Sequence, residues 1–392
     1  MPWSESRIVD ERLRFVSACL SGEASMTELC ERHGISRKSG YKWLVRYQAE
    51  GPGGLLDRSH APARHGRQTD AALAEAIILM KTARPSWGPR KIVARLKLDH
   101  PGLIWPADST VGEILKRAGL VEPRHRRQRV TPTWGGLTTP ERPNHVWATD
   151  YKGWALLGDG RRCEPLTVTD SFSRYLLGLS AGSDTSEEQA RPWFEAAFKE
   201  FGLPQVMRSD NGPPFASTGV TGLTRLTVWW IRLGIRHERI TPGKPQQNGR
   251  HERFHLTLME TMSPPAADQI AQAERFGAFR QDYNHHRPHE ALDQLPPAAF
   301  YRPSPRKLPD RLPEPDYPAE AAVRQVRTNG CIKWRGELVF ISSALCGEAV
   351  AVEETEPGHW RVRFFDQPIG LIDRKTNRLG RLGVPADPAL NL

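Results

Sequence analysis

His145-Val146-Trp147-Ala148-Thr149-Asp150-Tyr151 and, downstream, Gln205-Val206-Met207-Arg208-Ser209-Asp210-Asn211-Gly212 are the stretches on which the reading of the fold turns. Each is a short, largely apolar strand pattern running into an aspartate. Around them, further strands are expected at 162–168, 175–179 and 235–240, and helices at 186–201, 221–234 and about 248–262. The order is three strands, helix, strand, helix, strand, helix, which predicts an α/β unit with a mixed sheet. If the first and fourth strands are neighbours, Asp150 and Asp210 project from one sheet edge.

A third acid comes from Gln246-Gln247-Asn248-Gly249-Arg250-His251-Glu252-Arg253-Phe254. Phe254 and Leu258, four apart, face inward on a helix, which turns Glu252 toward the aspartate pair. Three carboxylates converging on a dry notch need cations, and hard oxygen ligands with open positions suit magnesium or manganese. Such a set fits two-metal phosphoryl transfer. Taken singly, each acid reads as a turn residue or a cap, and Asp-Asn-Gly after a strand is an ordinary turn signal. The combination decides. Glu238 and Glu260 compete with Glu252, the one in the expected last strand and the other about two turns farther along the helix.

These motifs resemble the DDE transposases and retroviral integrases with a ribonuclease-H-like fold, most closely the insertion-sequence transposases that carry an integrase core. The matching residues are Pro143-Asn144 leading to Trp147 and Asp150, then Ser209-Asp210-Asn211-Gly212, then Lys244-Pro245-Gln246-Gln247-Asn248-Gly249 leading to Glu252-Arg253-Phe254. Tyr283-Asn284, Arg287-Pro288-His289, Leu292, Pro296-Pro297 and Tyr301 match the family's closing motif. The 41 residues between Asp210 and Glu252 exceed the family's usual gap, and the extra length is expected in a loop over 215–226. The resemblance implies that Asp150, Asp210 and Glu252 are the catalytic residues and hold two magnesium ions, with manganese an accepted substitute. One ion would activate a water or a DNA 3′-hydroxyl and the other would stabilise the leaving oxygen, with no covalent protein intermediate. It also implies that Lys244, Gln246, Asn248 and Arg250 hold the DNA end.

The charge is uneven. Residues 1–142 carry 24 Lys+Arg against 15 Asp+Glu, and 143–392 carry 31 against 30, so nearly all of the net +10 lies in the first third. A cationic surface gains affinity for a polyanion by releasing counterions, which points to a DNA-binding arm. Ser25 followed by Glu28 is a capping box, Gly34 ends a short helix, and Ser36 caps another in which Leu44 and Val45 are expected to face inward. Arg37, Lys38, Ser39, Tyr41 and Lys42 occupy that helix's first turns, where a helix-turn-helix unit meets the major groove. The grammar repeats with helices at 70–82 and 90–98 and a third capped by Ser109 or Thr110. A basic run, Arg124-His125-Arg126-Arg127-Gln128-Arg129, follows as an extended linker.

Residues 296–318 hold eight prolines in 23 positions, an extended linker. Short alternating strands beyond it suggest a small β-barrel, for which DNA and subunit contacts are both open, and the residues after Arg374 read as a loose tail. The expected organisation is multidomain: helix-turn-helix domain 1–54, second helical DNA-binding domain 55–122, basic linker 123–142, integrase catalytic core 143–302, Pro-rich linker 303–320 and barrel 321–380. The amino-terminal units are all-α and the core is α/β.

No apolar run is long enough to span a membrane, and residues 1–10 lack a signal core. Five cysteines without a Cys-x-x-Cys pair read as reduced thiols, and His285, His286 and His289 have no cysteine nearby to make a zinc site. The chain reads as a cytoplasmic DNA transposase associated with double-stranded DNA. It would bind element ends, cleave and join strands, and assemble as a homo-oligomer in a synaptic complex. The alternative is a non-catalytic DNA-binding regulator derived from a transposase, which would have lost an acid.

Overall fold

The computed structural model describes residues 8–58, 69–121, 136–356 and 358–381. The basic run at 124–129 lies outside them. The chain divides into two compact units, Met1–Thr69 and Asp70–Leu392.

In the first unit, α1 (Ile8–Ser21), α2 (Met26–Arg32) and α3 (Arg37–Glu50) pack around Phe15, Val16, Leu29, Cys30, Trp43 and Leu55. The Ser25–Glu28 capping box forms as expected, and Ser36 caps α3 through the Ser39 amide. The inner face of α3 differs from expectation: Trp43 is buried, while Val45 is 60% exposed. The cause is Gly40, whose Cα sits so near the α1–α2 core that an added Cβ would lie 2.6 Å from Cys30 Sγ. That close approach sets the helix's rotation, and Trp43, one turn on, follows it inward.

The second unit begins with α4 (Ala71–Ala83), α5 (Pro89–Asp99) and α6 (Asp108–Arg117), whose core includes Ile77, Trp87, Ile92 and Ile114. Ala107, not Ser109 or Thr110, is the N-cap of α6. The Val111 amide already bonds the Ala107 carbonyl at 3.0 Å, so the helix starts earlier than the hydroxyls suggest. This bundle joins the following domain by contact: Arg84 donates twice to Asp282 Oδ1, at 3.2 and 2.7 Å, and Arg95 donates to the His285 carbonyl at 3.4 Å.

The core sheet contains β1 (Val146–Tyr151), β2 (Ala155–Leu156), β3 (Arg162–Asp170), β4 (Leu176–Gly182), β5 (Val206–Ser209) and β6 (Arg236–Arg239). Its order is β4-β3-β1-β5-β6, with β2 pairing β3 as well. β1, β3 and β4 are antiparallel neighbours, and β5 is parallel to both β1 and β6. Helices α7 (Glu187–Phe201) and α8 (Arg225–Arg232) bury Phe194, Phe198, Trp229 and Trp230 against Trp147 and Met207. Helices α9 (Gly249–Met262) and α10 (Gln269–His285) bury Phe254, Leu258, Phe276 and Tyr283 in a second cluster with Cys163 and Leu176. The extra length between Asp210 and Glu252 is irregular but not a free loop: Phe215 is in the core, 5.9 Å from the Trp230 ring.

The closing motif is structural. Asn284 pairs with both backbone polar groups of Leu176, taking the amide at 2.8 Å and donating to the carbonyl at 2.9 Å. Asn144 adopts a left-handed conformation and accepts from Trp147 Nε1 and the Tyr301 hydroxyl. Its amide donates to Asp170, whose fully buried carboxylate also takes the Ser173 amide and hydroxyl. Burial raises the Asp170 carboxyl's pKa and these hydrogen bonds oppose the rise.

The proline-rich segment is extended but pinned rather than free. Arg306 donates to the carbonyls of Pro204, Leu233 and Gly234, and Ser304 donates from its amide to the Phe201 carbonyl and from its hydroxyl to the Leu203 carbonyl. Beyond it, β7 (Ala322–Gln325), β10 (Ala349–Glu356), β11 (His359–Phe364), β12 (Gln367–Asp373) and β13 (Leu379–Gly380) form an open antiparallel sheet. β8 (Cys331–Trp334) and β9 (Glu337–Phe340) make a separate hairpin. Among the described residues no pairing closes these strands into a barrel. Strand β13 lies in the stretch expected to be tail, pairing Leu379 with Ile372. Gln367 bonds both backbone groups of His237, seating this module on the β6 edge.

Candidate catalytic site and DNA-binding surfaces

The parallel register Val146↔Val206, Trp147↔Met207, Ala148↔Arg208 carries Asp150 and Asp210 to the same level at the end of adjacent strands. Burial and then the Asp210 charge push the Asp150 carboxyl up to about 7, with Glu252 a smaller contribution in the same direction. Burial also raises Asp210, opposed by the Gly212 amide that donates to Oδ1 at 3.1 Å. Asp210 is thus both a turn residue and an acid at the sheet edge. Gly212 serves that turn, since a Cβ there would sit 3.0 Å from Asp210 Oδ2.

Glu252 is exposed in the first turn of α9. Among the described residues no three His, Cys, Asp or Glu side chains are gathered closely enough to hold one ion. The aspartate pair is assembled, and Glu252 reaches it by field rather than by contact. The donor chemistry fits a divalent cation: two hard carboxylates, half-buried, whose mutual repulsion a cation relieves. The competing acids are engaged elsewhere. Glu238 takes Arg208 at 2.9 and 2.6 Å and the Thr138 amide and hydroxyl at 2.8 Å each. Glu260 lies in the cleft lined by Lys91 and Arg287.

Behind Asp150 lies a network that sequence reasoning missed. The Thr167 hydroxyl meets the Asp150 carbonyl at 2.8 Å, His251 Nε2 at 2.6 Å and His255 Nε2 at 2.9 Å. A hydroxyl has one proton and two lone pairs, so it donates to the carbonyl and both imidazoles donate to it. His251 Nδ1 then accepts from Thr169 at 3.0 Å. Both rings are held neutral by burial, His255 down to about 3 and His251 well below the usual range. One hydroxyl therefore ties the backbone of β1 to both turns of α9 that flank Glu252. Thr167→Val is expected to leave three buried groups unpaired, at about 1–3 kcal/mol each. Strand-transfer kcat should fall with little change in DNA affinity, and Thr167→Ser should restore it. Urea unfolding and single-turnover rates check this, and an unaltered kcat in the valine variant would sink it.

Integrase core domain models match residues 140–245 and 233–297. A helix-turn-helix domain matches 11–63, a homeodomain-like domain 39–115, and the IS481 family transposase C-terminal domain 321–380. An uncharacterized 31.7 kDa protein of insertion element IS407 from Burkholderia multivorans is 33% identical over 252 residues, covering 62% of this chain and 86% of the relative. The chain belongs to the insertion-sequence transposases with an integrase core. A 39.2 kDa protein of insertion element IS476 from Xanthomonas euvesicatoria is 28% identical over 235 residues, 59% of this chain and 65% of that one. The HTLV-2 integrase catalytic core, solved with magnesium, is 16% identical and covers 41% of this chain and 98% of that one, at a TM-score of 0.31. The transposase is a polynucleotidyl transferase of the integrase type with helix-turn-helix DNA-binding domains. Among its described residues no helix is long and apolar enough to cross a membrane.

On the transposase's α3, Arg37, Lys38, Tyr41 and Lys42 are exposed. Ser39 is occupied by the cap, its amide and hydroxyl both meeting Ser36 Oγ. Near the start of α9, Lys244, Gln246 and Arg250 are exposed, with Arg250 donating to the Ser171 carbonyl at 2.9 Å. Asn248 is buried, so it is not a surface contact in this state. Its neighbour Gln247 holds the turn before α9 by accepting from the Thr241 amide at 2.6 Å. The glutamine pair signals this turn, but residue type does not say which of the two faces inward. All five cysteines are free thiols, and His289 packs edge-on against Tyr283.

Proposed function

We propose that Asp150, Asp210 and Glu252 form the catalytic set with which this transposase cleaves element ends and joins them to target DNA. The observation that carries it is the parallel β1–β5 register, which sets two raised carboxylates side by side at a sheet edge. Divalent magnesium, or manganese in its place, would be held by these three acids, and when bound it supplies charge neutralisation and activation of the attacking and leaving oxygens. In the first reaction a phosphorus–oxygen bond forms to water as the bond to the element's 3′ oxygen breaks; in the second, that 3′-hydroxyl bonds a target phosphorus as the target strand's own bond to its 3′ oxygen breaks, releasing a target 3′-hydroxyl. The Thr167 hydroxyl and the two imidazoles orient α9 against β1, and Gln247 orients the turn that leads into it. Arg37, Lys38, Tyr41 and Lys42 bind the duplex, and Lys244, Gln246 and Arg250 hold the end near the acids. Because two ends are joined to one target, the working form is an assembly of at least two copies on double-stranded DNA.

The test is strand transfer by the purified full chain, with labelled DNA ends from the flanks of its gene and magnesium present. Joined products should form with the wild-type chain and vanish with Asp210→Asn, while end binding persists. Tight binding without cleavage in either metal would favour the regulator instead.

A further inference from the structure

The helical bundle α4–α6 does more than pack on the core. Between α5, α9 and the segment after α10 run two adjoining clefts, of about 750 and 530 Å³, that share Lys91, Arg253, Thr257, Arg287 and Glu290 along their walls. The second reaches Glu252 and adds Arg174 and Arg250. Cations converge here from four parts of the fold: Lys91 from α5, Arg174 from the β3–β4 turn, Arg253 from α9 and Arg287 from the closing motif. The cleft's acids do not neutralise them pair by pair. Glu290 is 3.6 Å from Arg90, which also meets Asp108 at 3.8 Å, while among the described residues neither Lys91 nor Arg253 has an ion pair. Arg287 is buried, and among the described residues its guanidinium has one hydrogen bond, a long one to Thr257 Oγ1 at 3.5 Å. Burial and the charges of Arg287 and Arg253 pull the Lys91 ammonium down to about 8, while Glu260 and Glu290 work the other way. Two further polar atoms in these walls, His289 Nε2 and Gln294 Oε1, are buried without a partner among the described residues. Like charges held together in an open trough that ends at Glu252 are complementary to a chain of phosphates.

We propose that this trough is a phosphodiester-binding site, in which Lys91, Arg253 and Arg287 grip the backbone of the DNA end just outside the Glu252 side of the catalytic site. The second helical bundle thereby supplies a cation to the catalytic end of the DNA, separate from any duplex reading by its own helices. The proposal rests on the catalytic reading given above.

The experiment measures binding of an element-end duplex to the full chain across a salt titration, for wild type, Lys91→Gln, Arg253→Gln, Lys91→Arg and Asp210→Asn. Removing one cation from a phosphate should flatten the slope of log affinity against log salt by about 0.9, which is about an eightfold weakening of binding near 0.1 M salt. Lys91→Arg should restore both. Ethylation interference should place the affected phosphates next to the joining end, and in Asp210→Asn that footprint should match wild type. If Lys91→Gln lowers the unfolding temperature, the exposed Arg253→Gln carries the test. Unchanged slopes and footprints in both glutamine variants, with Asp210→Asn still inactive, would overturn the trough and leave the catalytic reading standing. Strand transfer surviving in Asp210→Asn would instead overturn the catalytic reading.

Discussion

Asp150→Asn is expected to lower strand transfer at least about 10³-fold and, in the same protein without divalent metal, to raise its stability near pH 8. The first effect follows from removing an acid proposed to hold the metal, which is worth several kcal/mol at the transition state. The second follows from where the carboxyl titrates. In the folded chain Asp150 keeps its proton up to about 7, because burial and Asp210 oppose its charge, whereas an unfolded aspartate releases it near the ordinary value of 3.8. Between those values the folded state binds more protons, so wild-type stability falls as pH rises through that window and stays low above it. The displacement is worth up to about 4 kcal/mol. Asparagine carries no charge at any pH and escapes that loss, so the two proteins should unfold alike near pH 4 and diverge by pH 8. Magnesium should then stabilise wild type through binding and leave the variant unmoved. Thermal unfolding with chelator and with magnesium at both pH values checks this. Parallel pH profiles for the two proteins would remove Asp150 from the repelling pair.

Arg208→Met is expected to destabilise the fold by about 3–5 kcal/mol. Arg208 is 2% exposed on β5, directly opposite Glu238 on β6. Its guanidinium also donates to the Thr138 carbonyl at 2.6 Å, and Arg236 joins at the Thr138 hydroxyl, so the chain entering the core is strapped to this pair. Methionine fills much of the volume but strands the Glu238 carboxylate in a nearly dry site. The double variant Arg208→Met, Glu238→Leu should recover most of the loss, because a buried ion pair adds little beyond a well-packed apolar pair. Urea unfolding of the single and double variants measures both, and a near-neutral single variant would show that the strap is dispensable.

Glu238 shows where sequence reading reaches its limit. Residue type and position make it a competitor of Glu252, and nothing local reveals that a partner strand has claimed it. The same holds at Asp150, whose strand and acid are readable in place while its neighbour is not. His251 and His255 look in sequence like ordinary helix residues. Their shared acceptor, Thr167, is 84 and 88 residues away. Apolarity alone places Val45 inside α3, and Gly40 reverses that by letting the helix approach its neighbours at a single point.

Local order was determined by the sequence itself. Alternation, capping residues and glycine stops act over a few residues through sterics and backbone hydrogen bonding, so most strands and helices of the core, the amino-terminal helices and the acid-bearing motifs were legible where they stand, while β2 and α10 were not read. Tertiary structure decided adjacency: that β1 and β5 run in parallel register, that the proline-rich segment is pinned, that the strands of the last module are not closed into a barrel among the described residues, and that Lys91 enters a trough beside α9. Those outcomes depend on contacts between groups far apart along the chain, whose energies come from packing and desolvation once the elements meet, and no short window of sequence encodes them.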